Sequence, residues 1–306
     1  MRGLALRGRQ MLLLVIVAII VFTGIVNPRF LSVQNFLNIM LQISVLGVVS
    51  LGATILLISG NLDLSVGSLL SLSAYLGGLV ILNSASLPLG VLTCLSVAVL
   101  FGLFNGFLAS LERAHPFIFT LGMMTFLQGI AIVISRGSPI NGMGGLYELL
   151  GIRDFLRVPM PVVLFVILLV VVHIFLRYFP LGRYAYALGG NQEASRLSGI
   201  RVGRVKIFLY GLNGLFVGIA ALMLSSILDS ALPTMGTGYE LRSIAAVVIG
   251  GTPLFGGRGS VWGTLLGVLL LGLVSNSINL MGVSANFQNV VLGAIMVLAV
   301  MFQGSR

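Results

Sequence analysis

Apolar segments of membrane-spanning length recur along almost the whole chain, separated by stretches rich in Gly, Pro, Asn or charged residues. Because about 20 largely apolar residues in a helix cross a hydrocarbon core about 30 Å thick, each segment predicts one crossing. The predicted helices lie near 11–27, 36–58, 64–82, 89–110, 117–135, 161–179, 207–228, 242–255, 260–281 and 286–302. The sequence therefore predicts an all-α, polytopic transmembrane helical bundle of about ten helices, with 1–306 as a single domain.

The composition excludes an ordinary soluble protein. Hydrophobic residues make up 58% of the chain and charged residues only 8%, with a mean hydropathy of +1.14. Soluble domains carry charge on about a quarter of their residues. The net charge of +10 does not indicate nucleic-acid binding, because the arginines are scattered through the connections and no basic surface with interleaved aromatic residues accompanies them.

The distribution of positive charge predicts the orientation of the helices. Ten crossings place both termini on one side, and positively charged connections favour the cytoplasm. With the termini inside, twelve of the seventeen Lys and Arg residues lie in cytoplasmic segments. The five on the outside are Arg29, Arg136, Arg153, Arg157 and Arg242. The same assignment places the long basic connection 181–206 in the cytoplasm, where its length suggests that it is held by a partner.

Two polar interruptions divide the apolar pattern, near 59–68 and 250–260. The first reads SGNLDLSVGS from Ser59 to Ser68, and the second is the Gly-rich IGGTPLFGGRGSVWG from Ile249 to Gly263. Asp63 is a candidate helix cap, since its oxygens can accept backbone N–H bonds at a helix start. A broken helix at membrane depth is tolerated only in protein or beside a cavity, so these interruptions are also candidates for the solute path. The two functions are compatible.

Several catalytic and binding sites are excluded by their missing motifs. A phosphate-binding loop needs Gly-Lys followed by Ser or Thr, and the only lysine, Lys206, is followed by Ile207. If ATP drives this protein, another chain must bind it. His115 and His173 lie far apart without metal-ligand spacing, and no Gly-x-Ser-x-Gly is present. We therefore predict no catalytic residue and no metal site.

Two further features concern the helix interiors. Gly102 with Gly106, Gly214 with Gly218, and the run Gly259, Gly263 and Gly267 have the four-residue spacing of helix faces, which predicts close helix packing. Apart from Asp63, the carboxylates fall in or near connections. Ion-coupled carriers usually keep ionisable groups inside the spans. A stand-alone carrier or channel is thus disfavoured but stays open, because hydroxyl and backbone oxygens can also bind sodium.

The chain resembles the permease subunits of ribose, xylose and arabinose ABC importers, and is also similar to the autoinducer-2 importer permeases. The resemblance covers nearly the whole length. It is carried by NPRFLSVQNFLNI from Asn27, the SGNLDLSVGS break, PFIFTLG from Pro116, LGRYAYALGGNQEASRLSGI from Leu181, TGYELRSIAAVVIGGTPLFGGRGSVWGTLLG from Thr237 and SNSINLMGVS from Ser275.

The resemblance implies a subunit of a larger assembly in the bacterial inner membrane. Its partners would be a second permease copy or a paralogue, two cytosolic ATPase subunits or one tandem ATPase that use ATP and Mg, and a periplasmic or lipid-anchored solute-binding protein. The chain itself would bind no cofactor. The expected activity is sugar import by alternating access. The solute stays open among pentoses, hexoses and autoinducer-2, with a pentose such as ribose favoured, because selectivity lies mainly in the binding protein.

The resemblance also assigns candidate residues. The connection 181–206 occupies the position of the loop that docks on the ATPase, and the matching residues are Gly189, Gly190, Asn191, Glu193, Ala194, Ser198 and Gly199. This loop is similar to the EAA loop of other importer classes, although no Leu-Pro follows at the expected distance. Polar groups near the breaks are candidates for the translocation path: Asn61, Asp63, Ser65, Ser68, Asn105, Thr237 and Asn276.

Overall fold

The computed structural model describes residues 2–143, 154–155, 158–284 and a few positions between 287 and 294. Its helices are α1 (Arg2–Val26), α2 (Val33–Ile58), α3 (Val66–Ser84), α4 (Leu87–Ser110), α5 (Pro116–Ser135), α6 (Met160–Tyr178), α7 (Pro180–Gly190), α8 (Gln192–Leu197), α9 (Val202–Leu228), α10 (Tyr239–Ile249) and α11 (Val261–Leu280). A 3-10 helix covers Pro28–Leu31. The strands are β1 (Ile140–Asn141), β2 (Asp154–Phe155), β3 (Val158–Pro159) and β4 (Ser230–Ala231).

The all-α, polytopic fold predicted from the sequence is confirmed. Within the described residues, seven helices are long and apolar enough to cross a membrane: α2, α3, α4, α5, α6, α9 and α11. The apolar part of α1, Gln10–Val26, is shorter. The predicted last helix, 286–302, lies largely outside the described residues.

Both predicted interruptions are present, and the second lies at 250–260 as predicted. The helix predicted at 242–255 is α10, which ends at Ile249 because the loop that follows needs left-handed backbone. Gly251, Gly256 and Gly257 have φ values of +94°, +83° and +78°. Glycine adopts such angles without the steric cost that a Cβ would add, which explains the Gly-rich sequence of the loop.

Helix α2 is the centre of the bundle. Every residue from Ile43 to Ser59 is buried, and α2 contacts α6, α7, α9, α10 and α11. By contrast, α5 packs on α3 and α4 and leaves large apolar side chains such as Ile118 and Val133 exposed. An exposed apolar face of this kind is suited to lipid.

The predicted glycine seams are helix contacts, except that Gly259 lies in the loop before α11. The most extensive helix pair is α4 with α9, where a Cβ at Gly102 would lie 2.6 Å from the carbonyl oxygen of Tyr210 and one at Gly218 would lie 3.0 Å from the Cβ of Ala98. Gly263 and Gly267 of α11 pack in the same way against the backbone of Gly250 and Ala246. Small residues allow these backbones to approach closely, as the four-residue spacing predicts.

Candidate functional site

Asp63 is the centre of a buried polar cluster at the break between α2 and α3. The side chain is only 5% exposed. Its Oδ1 accepts hydrogen bonds from the backbone N–H of Ser65 at 2.9 Å and from the Ser65 hydroxyl at 2.6 Å. Asn213 of α9 donates to Oδ2 at 3.2 Å. Asn105 of α4 donates to the Ser65 hydroxyl at 2.9 Å and lies 3.4 Å from both carboxyl oxygens. We call these four residues the Asp63 cluster.

The prediction that Asp63 is a helix cap is wrong, because Asp63 lies two residues before the cap position. Helix α3 begins at Val66 with Ser65 as its cap residue, and Asp63 accepts the N–H of Ser65 in the turn that precedes the helix. The donors in these hydrogen bonds all belong to neutral groups. The carboxylate therefore joins three elements, the break, α4 and α9, through hydrogen bonds alone.

Helix α9 also holds the backbone of the break. The hydroxyl of Tyr210, a fully buried side chain, donates to the carbonyl oxygen of Leu62 at 2.9 Å. Tyr210 and Asn213 are three residues apart and share one face of α9. Sequence reasoning missed both residues, because they lie inside an apolar span rather than near a break. The sequence contained one signal for this contact, Asn213, because a polar residue within a membrane span commonly has a specific partner.

The other candidates near the first break have separate environments. Asn61 is buried and donates to the carbonyl oxygen and hydroxyl of Ser59, at 3.0 and 3.1 Å. Ser68 is buried in the first turn of α3. Of the seven candidates for the path, the structure joins Asp63, Ser65 and Asn105 directly.

Thr237 and Asn276 lie away from the Asp63 cluster. Thr237 is exposed in the turn before α10. Asn276 of α11 pairs with Asn35 at the start of α2, and each amide donates to the other, at 2.9 and 3.0 Å. Asn276 is therefore part of a contact at the opposite end of α2.

The connection 181–206 is mostly helical. Pro180 is the first residue of α7, and Asn191 caps α8 by accepting the N–H of Ala194 at 2.9 Å. Of the seven candidate docking residues, Gly189 is partly covered and the other six are exposed: Gly190, Asn191, Glu193, Ala194, Ser198 and Gly199. Leu197, an apolar residue of α8, is 82% exposed. This segment offers an accessible surface at one end of the bundle.

Helix α7 contacts both interrupted regions. Gly189 packs against the carbonyl oxygen of Ile58, the last residue of α2, and beside the backbone of Gly257. The N–H of Gly257 also donates to the Ile58 carbonyl oxygen, at 2.9 Å. From the same helix, the hydroxyl of Tyr186 donates to the carbonyl oxygen of Gly259 at 3.1 Å. The two breaks, far apart in sequence, therefore meet beneath α7.

A second charged cluster links α8 to the transmembrane helices. Glu112, in the turn between α4 and α5, accepts hydrogen bonds from Arg196 at 2.6 Å, Gln192 at 2.9 Å and Lys206 at 3.3 Å. We call these four residues the Glu112 cluster. Partial burial opposes ionisation of Glu112, but the hydrogen bond from Arg196 and the charge of Lys206 outweigh it and hold the pKa of the carboxyl below its ordinary value.

Comparison with known proteins identifies the family. Residues 35–300 match the model of the permease component of branched-chain amino acid transport systems. The chain belongs to this permease family. Its members are permeases of ABC importers, whose ATPase is a separate subunit, in agreement with a chain that contains no phosphate-binding loop. No solved structure matches the chain.

The individual relatives are sugar permeases, and they match along almost their whole length. The chain is 40% identical to the ribose import permease protein RbsC of Bacillus subtilis, over 94% of this chain and 90% of the relative. It is 38% identical to RbsC of Escherichia coli K12, over 97% and 94%. Identity to the L-arabinose permease AraH of Escherichia coli K12 is 36%, over 95% and 89%. These matches confirm the predicted resemblance to simple-sugar ABC importer permeases.

Proposed function

We propose that this chain is the membrane-spanning permease of an ATP-driven sugar importer, with ribose as its cargo. The observation that carries the proposal is the near-full-length similarity to ribose permeases from two distant bacteria, at 40% and 38% identity. The arabinose and xylose permeases are less similar, at 36% and 31%. Ribose is therefore the first solute to test, followed by the two other pentoses.

The proposed assembly contains several chains. A second copy of this permease or a paralogue would lie beside it in the inner membrane, with two ATPase subunits or one tandem ATPase on the cytoplasmic side. The ATPase would bind ATP and Mg, and a solute-binding protein would deliver the sugar from outside. The charge distribution supports this orientation, with both termini in the cytoplasm.

The segment 181–206, containing α7 and α8, is the proposed ATPase-docking surface. Six of its seven candidate residues are exposed, and Gly189 contacts the end of α2. ATP-driven closure of the ATPase would move this segment, and the contact with Ile58 would carry the movement to the interrupted helices. Alternating access would follow from the change in packing around the two breaks.

The proposed path is lined by polar groups near the breaks. In the predicted topology, the groups toward the cytoplasm are Asn61, Asp63, Ser65, Ser68 and Asn105, while Thr237 and Asn276 lie toward the outside. Amide, hydroxyl and carboxylate groups suit the hydroxyls of a sugar, because each can exchange hydrogen bonds with them. In the described conformation, the Asp63 cluster is closed, since its members bond to one another.

Reconstitution in proteoliposomes tests the function. The permease is assembled with its cognate ATPase and binding protein, and uptake of radiolabelled ribose is measured with ATP, without ATP and with a non-hydrolysable analogue. We expect uptake only with all partners and ATP, and competition by excess unlabelled ribose. Uptake by the permease alone under an ion gradient would contradict the proposal and establish a stand-alone carrier. Competition by unlabelled arabinose or xylose measures the selectivity.

Substitutions on the exposed surface test the docking segment. A Cβ added at Gly190 would meet no neighbouring atom within 4 Å, and Ala194 is exposed, so Gly190→Trp and Ala194→Lys should leave insertion intact. We expect both variants to lose at least tenfold in ribose uptake and to lose co-purification of the ATPase. Asn83→Trp, at an exposed position in the last turn of α3, is the control on the opposite side. Wild-type uptake by the Gly190 and Ala194 variants would refute docking at this surface.

A further inference from the structure

Glu112 connects three elements that are separate in sequence. It lies in the α4–α5 turn with a φ of +55°, an unusual left-handed conformation for a residue with a side chain. From this position, its carboxylate accepts hydrogen bonds from Arg196 and Gln192 of α8 and from Lys206 of α9. The short helix α8 is therefore attached to the ends of two transmembrane helices through one side chain.

The polar contacts continue from Glu112 into the bundle along two facing helices. Residues three or four apart lie on one face of a helix. Asn105 and Ala109 share a face of α4, which ends just before the Glu112 turn, and Lys206, Tyr210 and Asn213 share a face of α9. The two faces begin at the Glu112 cluster and end at the Asp63 cluster, about 10 Å deeper at about 1.5 Å per residue.

Contacts between these faces occur at each level. The amine of Lys206 lies 3.5 Å from the carbonyl oxygen of Ala109 as well as 3.3 Å from Glu112. One turn deeper, a Cβ at Gly106 would lie 2.6 Å from the Cα of Ile207, so the two backbones are in close contact. The deepest level is Asp63, which accepts from α4 and α9 together. A displacement of one helix at this seam must therefore displace the other or break these contacts.

We infer that Glu112 is the positioning residue through which movement of α8 reaches α4, and so the Asp63 cluster, beside the route from α7 through Gly189 and Ile58. The inference rests on the proposed function, because it takes α8 as part of the ATPase-docking surface. Without the Glu112 cluster, α8 remains joined to α7 and α9 through its flanking residues but loses its ionic connection to the α4–α5 turn. ATP hydrolysis would then continue while less of the movement reached α4.

Arg113 supplies the matched control. It follows Glu112 in the same turn, is exposed and forms no ion pair within the described residues. Arg113→Gln therefore changes the charge of the turn without breaking a connection to α8. The Arg196–Glu112 pair is partly exposed and contributes little to folding stability, but the side chain of Lys206 is only 7% exposed. The melting temperature of each variant is therefore measured beside the transport ratio, so that a loss of stability is separated from a loss of transmission.

The experiment measures ribose uptake and ATP hydrolysis in the same proteoliposomes, with the complete transporter carrying Glu112→Gln or Arg113→Gln. For Glu112→Gln we expect at least a threefold fall in ribose transported per ATP hydrolysed, with normal assembly. Arg113→Gln should stay near the wild-type ratio. The double variant Glu112→Gln/Arg196→Gln should transport as much ribose per ATP as Glu112→Gln alone, because both substitutions remove the same connection between Glu112 and Arg196.

Rescue separates transmission from a merely structural effect. In Glu112→Cys/Arg196→Cys, a short thiol-specific cross-linker should restore the transport-to-ATP ratio, although no charge is restored. Equal loss in the Glu112 and Arg113 variants, an unchanged ratio in Glu112→Gln, or no rescue on cross-linking would each overturn the inference. If the wild-type assembly shows no ATP-driven uptake, the proposed function itself fails, which distinguishes the two outcomes.

Discussion

The two ends of α2 are held by different chemistry. At its start, Asn35 and Asn276 form a pair in which each amide donates to and accepts from the other. Beyond its end, the carboxyl group of Asp63 accepts hydrogen bonds from the next turn, α4 and α9. The first contact joins α2 to one helix, α11, whereas the second joins the α2–α3 break to two helices.

This difference predicts different consequences of movement. The neutral amide pair takes its partners from α11 and, through a second hydrogen bond from Asn35 to the carbonyl oxygen of Phe30, from the turn before α2, so the start of α2 can remain fixed while α4 and α9 shift. The buried carboxyl group of Asp63 must keep its donors in α4 and α9, because unmet hydrogen-bonding capacity of a buried polar group is costly. The end of α2 is therefore sensitive to the positions of α4 and α9, and it also contacts α7 through Ile58 and Gly189. We expect the start to act as an anchor and the end to follow the docking segment.

The largest expected effect is that of Asp63→Ala. The substitution leaves the amide donor of Asn213 and the backbone N–H and hydroxyl of Ser65 buried without their acceptor, which should cost about 2–4 kcal/mol of folding free energy. Thermal unfolding of the purified permease, followed by tryptophan fluorescence or by loss of monodisperse protein, measures this effect. Asp63→Asn keeps the shape and one acceptor oxygen, and should lose less. Wild-type thermal stability of Asp63→Ala would show that the cluster does not hold the break.

Gly189→Ala is expected to have the next largest effect, because it tests the contact between α7 and the end of α2. Its Cβ would overlap the carbonyl oxygen of Ile58, and overpacking of this kind typically costs about 1–3 kcal/mol. Gly190→Ala is the matched control, since no neighbouring atom lies within 4 Å of the added Cβ. The measurement is the melting temperature of the two variants in the same detergent. Equal stability would contradict the close contact.

Asn276→Ala should have a smaller effect, at the start of α2. It leaves the amide of Asn35 without one partner, and the expected loss is about 1 kcal/mol, since hydrogen bonds between membrane helices contribute modestly. A double-mutant cycle with Asn35→Ala measures the coupling energy, which should be stabilising and smaller than that between Asp63 and Asn213. A larger coupling at Asn276 would reverse the proposed roles of the two ends of α2.

The fold was predictable from the sequence because hydrophobic runs, Gly and Pro report directly on membrane crossings and their ends. The error at α10 has a physical cause. The residues after Ile249 remain largely apolar, so hydropathy continues, while the left-handed glycines at 251, 256 and 257 end the helix. The sequence also carried signals for the starts of α7 and α8, namely Pro180 and the capping residue Asn191. Both helices were missed because the hydropathy pattern marks the segment 181–206 only as a polar connection.

The candidate site was only partly predictable. Asp63 and Ser65 were found because they stand in the break, and Asn105 because it is polar near a helix end. Tyr210 and Asn213 needed the register of α9 against α4, which depends on the glycine contacts at Gly102 and Gly106. The Glu112 cluster joins residues 80 or more positions apart, a pairing that a single sequence does not reveal.

The smallest expected effect is that of low pH. It should weaken the Glu112 cluster, which depends on a carboxylate, and leave the start of α2 unchanged. The start of α2 is held by neutral amides and has no titrating group in the Asn35–Asn276 pair. The Glu112 cluster depends on a carboxylate whose pKa lies below its ordinary value, because partial burial, which opposes ionisation, is outweighed by the hydrogen bond from Arg196 and the charge of Lys206. Since the pKa is depressed, the contribution of this cluster is present above the ordinary value of about 4.3 and is lost as the pH falls through the lower, folded value.

Spin labels measure this difference in the purified permease. Labels at Leu197→Cys and Ala114→Cys report the distance from α8 to the α4–α5 turn, and labels at Val33→Cys and Met281→Cys report the start of α2. We expect both distance distributions to stay unchanged from about pH 8 to about pH 5, and only the first to broaden below about pH 4, the range in which carboxylates protonate. Glu112→Gln should broaden the first distribution at every pH.

Two results would contradict this account. Broadening of the Leu197–Ala114 distribution near about pH 6 in the wild-type chain would exclude Glu112 as the titrating group. Broadening of the Val33–Met281 distribution would show that the start of α2 is not an independent anchor.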